Sequence, residues 1–292
     1  MRSTDLLSKI QKIDIQSSEF PAKLREIPHP PEQIYCVGDT SLLHCQSVSV
    51  VGSRKFTVYG KTVAMMIGRR LGECGIPVVS GLAYGIDAFA HEGVLDAGGR
   101  TIGVLASGIL RMGPKRNLDL MFKELEQGGL ILSENPPDYS PQKYDFPLRN
   151  RIISGLGDSV VVVEANFNSG ALITAQHATE QGRPVYAVPG NINSQFSMGS
   201  NLLIRDGACP VVIIDDLIRD LGITPPDNAD KADSLGADEK RVYDAVSRYN
   251  GVSADVIAAE LDMSTGWVNA MVTVMEIKGL VQTYSGKIYL AK

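Results

Sequence analysis

Positive charge is what this chain most lacks. Its 292 residues carry 28 Lys and Arg against 33 Asp and Glu, a formal net charge of −5. A protein that coats long duplexes presents a broadly basic surface and a high pI, so that function class is excluded as the main one. Long apolar runs are missing too: no stretch approaches the ~18 residues that a membrane-crossing helix needs. The opening MRSTDLLSKIQKIDIQ alternates polar and apolar residues, with no apolar core behind a basic start, so no secretory signal is expected. Cysteine is sparse, and Cys36, Cys45, Cys74 and Cys209 form no CxxC pair. That spacing offers no metal framework and fits a reducing compartment; the expectation is a cytoplasmic protein with no membrane attachment, metal or cofactor. GxGxxG, the Walker A loop, GxSxG and HExxH are also absent, which removes the usual fingerprints of dinucleotide binding, ATP hydrolysis, serine hydrolysis and zinc proteolysis.

Short apolar, β-branched runs are what recur instead. They end at Gly52, Gly81, Ala106, Glu134, Ala165, Gly190 and Asp215. Each is nearly continuous rather than alternating, so both faces need cover, and a parallel α/β sheet with helices on both sides supplies it. Between the runs, Val63, Met66, Ile67 and Leu71 recur at helical spacing, as do Ile86, Phe89, Ala90 and Leu95. Another helix is read over 170–181, with Asn168 and Ser169 as N-terminal caps. Residues 222–238, GITPPDNADKADSLGAD, lack an apolar period and read as a linker. Beyond them come three short helices, with Ser253 and Ser264 as caps, and a hairpin turned at Ser285 and Gly286, the winged-helix pattern. The expected organisation is a lead-in segment 1–40, an α/β domain 41–221, the linker 222–238 and a winged-helix domain 239–292.

Five motifs cluster at the ends of the apolar runs. VVGSRKF (50–56) and SGLAYGID (80–87) place glycine-bearing turns where strands feed helices, the usual anion-binding position in a parallel sheet. In the first, Gly52 admits close backbone approach and Arg54 offers a forked donor. KYDFPLRNRIISGLG (143–157) gathers Lys143, Arg149 and Arg151 against Asp145 over 143–151, a local charge of 3 − 1 = +2, beside Tyr144, Phe146 and Asn150. Cations for phosphates next to an aromatic ring for a base are what single-strand binding requires. The plainer alternative pairs Arg149 and Arg151 with acidic neighbours and sinks Phe146 into the core. VVVEANFNSGALITA (161–175) and AVPGNINSQFSMGSN (187–201) add Gly, Ser and Asn at the same rim. Glu164 is the one carboxylate placed for acid–base work, although a Glu at a strand end more often caps an arginine. Asp87 and His91, at i and i+4, read as a helix-surface ion pair. Met65, Met66, Met271 and Met275 read as core.

Taken in order, GSR (52–54), SGLAYGIDAFAH (80–91), FPLRNRIISGL (146–156), VVVEANFNSGALITA (161–175), and AVPG with GSNLLI (187–204) closely resemble the DNA-processing protein A (DprA/Smf) family, over roughly residues 20–215. The lead-in EFPAKLREIPHPPEQIYCVGD (19–39) resembles that family's approach to its first strand. The resemblance implies an α/β fold: an extended Rossmann-like parallel sheet with helices on both faces, plus a small C-terminal winged-helix domain. It implies a non-enzymatic, homodimeric binder of single-stranded DNA that protects the incoming strand and helps load the RecA recombinase in natural transformation. Carried over residue by residue, Gly52, Ser53, Arg54, Ser80, Gly81, Lys143 and Phe146 line the strand pocket, joined by Asn150, Arg151, Ser169 and Gly170. Two departures stand out. About 18 residues precede Glu19, so the N-terminal helical domain of many members is expected to be nearly absent. The stretch 107–123 carries Arg111, Lys115 and Arg116 where an acidic, tyrosine-containing version is usual, which would widen the positive rim. The tail over 237–292 holds 6 basic and 7 acidic residues, 6 − 7 = −1, which favours a protein contact over duplex reading. Two other classes compete: a nucleotide hydrolase with Glu164 as general base, and a transcription factor with a nucleotide-sensing α/β domain.

Overall fold

The computed structural model describes residues 8–224, 235–249, 251–277 and 279–290. They fall into two compact units, Met1–Thr224 and Pro225–Lys292. Of the expected linker, residues 225–234 lie outside the described residues.

Among the described residues the first unit is built on nine strands: β1 (Gln11–Asp14), β2 (Gln33–Gly38), β3 (Val48–Val51), β4 (Val78–Ser80), β5 (Thr101–Leu105), β6 (Leu130–Ser133), β7 (Ser159–Val162), β8 (Val185–Ala187) and β9 (Cys209–Pro210). Their order in the sheet is β1-β2-β6-β5-β4-β3-β7-β8-β9. From β6 to β9 all neighbours are parallel, while β1 and β2 add an antiparallel edge. The segment expected as a lead-in therefore supplies two strands of the same sheet.

The helices follow the strands: α1 (Ala22–Arg25), α2 (Val58–Glu73), α3 (Ile86–Asp96), α4 (Leu118–Glu126), α5 (Asp145–Leu156), α6 (Gly170–Glu180), α7 (Met198–Arg205) and α8 (Ile214–Asp220). Successive strand residues point to opposite faces, and both faces are dry. Val160 and Val162 join Ile152, Ile153 and Leu156 of α5 and Ala171, Ala175 and Ala178 of α6 in one cluster. Val161 and Val163 join Ile67 and Leu71 of α2 and Ile86, Ala90 and Val94 of α3 in the other. That is why the strand runs are apolar at every position.

Side-chain caps fix where two of the helices begin. Thr57 Oγ1 accepts from the Gly60 amide at 3.1 Å and starts α2 one turn earlier than the apolar spacing suggests. Ser169 Oγ accepts from the Ala171 amide at 3.3 Å and starts α6. Met66 departs from its expected core position and is 53% exposed, because α2 turns Ala64, Ile67 and Leu71 inward instead. The run ending at Asp215 gives only the two-residue β9. Pro210 removes a ladder donor, and the Arg70 guanidinium of α2 holds Asp215 bidentately at 2.6 and 2.9 Å, in the first turn of α8. Among the described residues no helix is long and apolar enough to cross a membrane.

The second unit contains α9 (Ala237–Tyr249), α10 (Ala254–Leu261), α11 (Thr265–Ile277) and the hairpin β10 (Val281–Tyr284) to β11 (Lys287–Leu290). Tyr284 pairs with Lys287, leaving Ser285 and Gly286 as a two-residue turn with φ of 49° and 75°, the left-handed pair that suits a right-twisted hairpin. Ser264 Oγ accepts from the Trp267 amide at 3.3 Å, whereas Ser253 precedes α10 without a side-chain cap. Val242, Val246, Ile257, Val268, Met275 and Ile288 close a core of their own.

Candidate nucleic-acid interface

Strands β3 and β7 are neighbours, and from them the chain winds in opposite directions: β3 to β6 on one side, β7 to β9 on the other. At such a switch point the loops leaving the carboxyl ends of the two strands diverge and open a crevice. A cavity of about 380 Å³ lies there, within the roughly 300–1,000 Å³ of small-ligand sites. It is lined by Gly52, Ser53, Arg54 and Lys55 after β3, Ala83 and Asp87 after β4, Phe146, Arg149 and Asn150 of α5, and Asn166, Asn168, Ser169 and Gly170 after β7.

Each wall is held by identifiable contacts. The Ser53 amide donates to the Glu164 carbonyl at 2.8 Å, and Ser53 Oγ accepts from the Lys55 amide at 3.1 Å, which fixes the β3–α2 turn and leaves Arg54 and Lys55 exposed. A Cβ on Gly52 would lie 2.6 Å from the Ile86 side chain, so only glycine lets the start of α3 pack here. On α5, the Asp145 carboxylate accepts from the Gln142 amide at 2.6 Å and the Tyr139 hydroxyl at 2.9 Å. These bonds anchor the first turn of α5 and set Phe146 at the cavity mouth, 37% exposed. The Arg54 guanidinium lies 5.3 Å from the centre of the Phe146 ring. The N-terminal turn of α6 completes the wall with Ser169 and Gly170, and the positive end of that helix favours an anion.

Arg149 and Asp87 form the floor. Arg149 is 7% exposed and donates to the carbonyls of Gly81, at 3.0 Å, and Val104. Burial pulls its pKa down to about 10, against the opposing pull of Asp87, so it stays charged at neutral pH. Burial raises the Asp87 carboxyl, while Arg149 and backbone amides, Gly52 among them, pull it back down. A Cβ on Gly81 would sit 2.7 Å from Arg149 Nη2 and 2.9 Å from Asp87 Oδ2. Gly81 is therefore the residue that makes room for both charges. With Arg54, Lys55 and Arg149 against Asp87, the lining carries 3 − 1 = +2 on a chain of net charge −5.

Of the residues singled out from the sequence, the structure brings Gly52, Ser53, Arg54, Phe146, Asn150, Ser169 and Gly170 to this one cavity. Ser80 is fully buried and donates its hydroxyl to the Val50 carbonyl at 2.6 Å. Lys143 is exposed just ahead of α5, outside the lining. Arg151 points elsewhere, to Glu134 at 2.6 Å and to the His29 carbonyl at 2.9 Å. The plainer alternative thus describes Arg151 but not Phe146, which stands at the mouth rather than in the core.

Lys55, Asp87, Asn166 and Asn168 line the cavity without having been singled out as pocket residues, while Arg149, marked in the sequence as a phosphate cation, is buried beneath it. Lys55 and the two asparagines sat inside motifs already marked, so adjacency could have found them. Asp87 and His91 are no surface ion pair, because α3 packs between α2 and α4 and leaves neither position exposed. Asp87 faces the Gly52 amide at 3.3 Å, and His91 faces Glu124 of α4 at 4.0 Å. Glu164 does not line the cavity. Its carboxylate accepts from the Thr57 amide at 3.0 Å and hydroxyl at 2.6 Å, holding the start of α2. Among the described residues, no group of three or more His, Cys, Asp or Glu is arranged to hold a metal ion.

This geometry can be set beside known proteins. Residues 11–222 match the family model of DNA recombination-mediator protein A, and residues 225–287 match that of the DprA winged helix domain. The chain is 41% identical to the DNA processing protein DprA of Bacillus subtilis over 213 residues, 73% of this chain and 71% of the relative. It is 40% identical to the Protein Smf of Escherichia coli over 209 residues, 72% of this chain and 56% of the relative. The crystal structure of DprA from Streptococcus pneumoniae superposes with a TM-score of 0.68 at 38% identity, covering 74% of this chain and 76% of that one. DNA processing protein A from Helicobacter pylori, whose structure was described for its single-stranded DNA binding mode, superposes with a TM-score of 0.66 at 31% identity, covering 73% and 95%. By family match, relatives and fold together, this chain belongs to the DprA/Smf family of DNA processing proteins.

Proposed function

We propose that this protein binds single-stranded DNA in the switch-point cavity without reacting with it. The observation that carries the reading is the Arg54 guanidinium poised over the half-exposed Phe146 ring at the mouth of a cationic cavity. Arg54, Lys55 and the nearby Lys143 neutralise phosphates, and Phe146 stacks a base. Gly52, Ser53, Asn150, Ser169 and Gly170 offer neutral contacts at the wall. Ser80, Gly81 and Arg151 hold the frame on which those residues stand. A cavity of this size admits an unpaired strand and not a duplex, which suits a chain of net charge −5.

In the same reading the protein acts as a homodimer in the cytoplasm, protecting the incoming strand and helping to load RecA in natural transformation. Family membership supports this part. The hydrolase alternative loses its general base, since Glu164 is engaged at the start of α2. The transcription-factor alternative loses its reading head, since α11 carries no Lys or Arg. The test is electrophoretic comparison of single-stranded and duplex oligonucleotides with the wild type and Arg54→Ala. The wild type should retard the single strand selectively, and the variant should weaken that complex. Equal retention of duplex by both proteins would overturn the proposal.

A further inference from the structure

Just outside the cavity lies a second aromatic cluster that the strand pocket does not use. Phe56 and Tyr84 meet with ring centres 5.7 Å apart, and Phe56 meets Phe89 edge-on at 4.7 Å. A cation caps each outer ring: the Arg116 guanidinium lies 4.9 Å from the Tyr84 ring centre, and Lys61 Nζ lies 5.0 Å from that of Phe89. Phe56 and Phe89 are partly buried against the core, whereas Tyr84 is 38% exposed and Arg116 is exposed. The cluster is thus a supported ring with a solvent-exposed cation above it, the same pairing that Arg54 makes with Phe146 at 5.3 Å.

Its position is fixed by chain connectivity. Lys55 and Ala83 line the cavity, and the residues that follow them, Phe56 and Tyr84, belong to the cluster. Consecutive residues are ~3.8 Å apart at Cα, so the cluster abuts the cavity along two separate segments. The third segment is tied in by Asn117, which is buried and donates to the Leu82 carbonyl at 2.9 Å, holding the neighbouring Arg116 over the loop that carries Tyr84. Leu82 itself takes a left-handed φ of 52° in the core, so this loop is held in one conformation.

We infer that Tyr84, backed by Phe56, is a second base-stacking station for the strand leaving the cavity, with Arg116 as its phosphate contact. The inference rests on the proposed function and extends it from one stacked base to two. When a base takes the ring, the Arg116 guanidinium turns from it to the adjoining phosphate.

The test measures fluorescence anisotropy of the 292-residue chain with oligothymidines of about five and about sixteen nucleotides, within the span of known single-strand sites. Tyr84→Ala should bind the long strand about tenfold more weakly, the loss of one stacked base, and bind the short strand like the wild type. Tyr84→Phe, which keeps the ring, should behave as wild type on both. Arg116→Ala should make the salt slope shallower by about 0.7 on the long strand alone. The inference is overturned if Tyr84→Ala and Arg116→Ala bind the long strand as the wild type does while Arg54→Ala does not. It is also overturned if Tyr84→Ala loses both lengths equally. A wild type that binds neither strand overturns the proposed function itself, a result distinct from the other two.

Discussion

Replacing Arg54 by Ala should change how binding responds to salt, by an amount that follows from counting cations. Among the lining cations, Arg149 is buried and committed to the Gly81 and Val104 carbonyls, which leaves Arg54 and Lys55, with Lys143 nearby, free to meet phosphates. Each phosphate contact on a single strand contributes about −0.7 to the slope of log K against log salt, so three contacts give about −2.1. Between ~50 and ~200 mM salt the wild type should then weaken about 18-fold. Arg54→Ala keeps two contacts, a slope of about −1.4 and a loss of about sevenfold over the same range. Its deficit should therefore be largest at low salt and narrow as salt rises. The assay is an anisotropy titration of a short labelled oligothymidine at several salt concentrations, which confines the readout to the cavity. A wild-type affinity indifferent to salt, or a variant with an undiminished slope, would refute the assignment of Arg54 to a phosphate.

Phe146→Ala should weaken single-strand binding by ~1–3 kcal/mol, about 5- to 150-fold, in the same assay. Its unfolding midpoint should barely move, since the ring is 37% exposed. Arg151→Ala should do the opposite, lowering stability while changing strand affinity far less than Phe146→Ala, because Arg151 meets Glu134 and the His29 carbonyl rather than the cavity. It removes an ion pair with Glu134 in which the two side chains are 8% and 27% exposed, a loss of about 1–3 kcal/mol after allowance for solvent, read by urea unfolding. The His91–Glu124 pair predicts a pH response. Burial pushes the Glu124 carboxyl from 4.5 up to about 8, so the folded unit keeps a proton that the unfolded chain has released, and stability falls as pH rises through that window. Burial pulls His91 down to about 3, so stability on its account falls as pH drops below about 6.5. The two oppose one another between about 4.5 and 6.5, leaving Glu124 alone to act from about 6.5 to 8. Glu124→Gln should therefore flatten the decline of urea midpoints over that upper range, and an unchanged decline would contradict the assignment.

The parallel strands were legible because each had to be apolar on both faces, and β3, β4 and β7 sit where Val48, Val78 and Val160 announced them. The antiparallel edge was not, since β1 alternates a single buried Ile13 with exposed residues and reads as loop. Most of the cavity was legible for a related reason: glycine and small polar residues at strand ends mark the turns that converge at a switch point. Arg149 and Arg151 show where that reading ends. They are two residues apart on one helix, so sequence marks them alike. The turn of α5 sends one beneath the cavity beside Asp87 and the other to Glu134. Asp87 and His91 were misplaced for want of neighbours: nothing in their own segment reveals that Gly52 and Arg149 meet Asp87 or that Glu124 of α4 meets His91.

Ultraviolet cross-linking to oligothymidine followed by peptide mass spectrometry asks whether an unpaired strand lies in the switch-point cavity. Adducts are expected on the peptide carrying Phe146 and on the loop after β3, with duplex oligonucleotide failing to compete. Adducts confined to the unit Pro225–Lys292, with the Phe146 peptide unmodified, would contradict that placement of the strand.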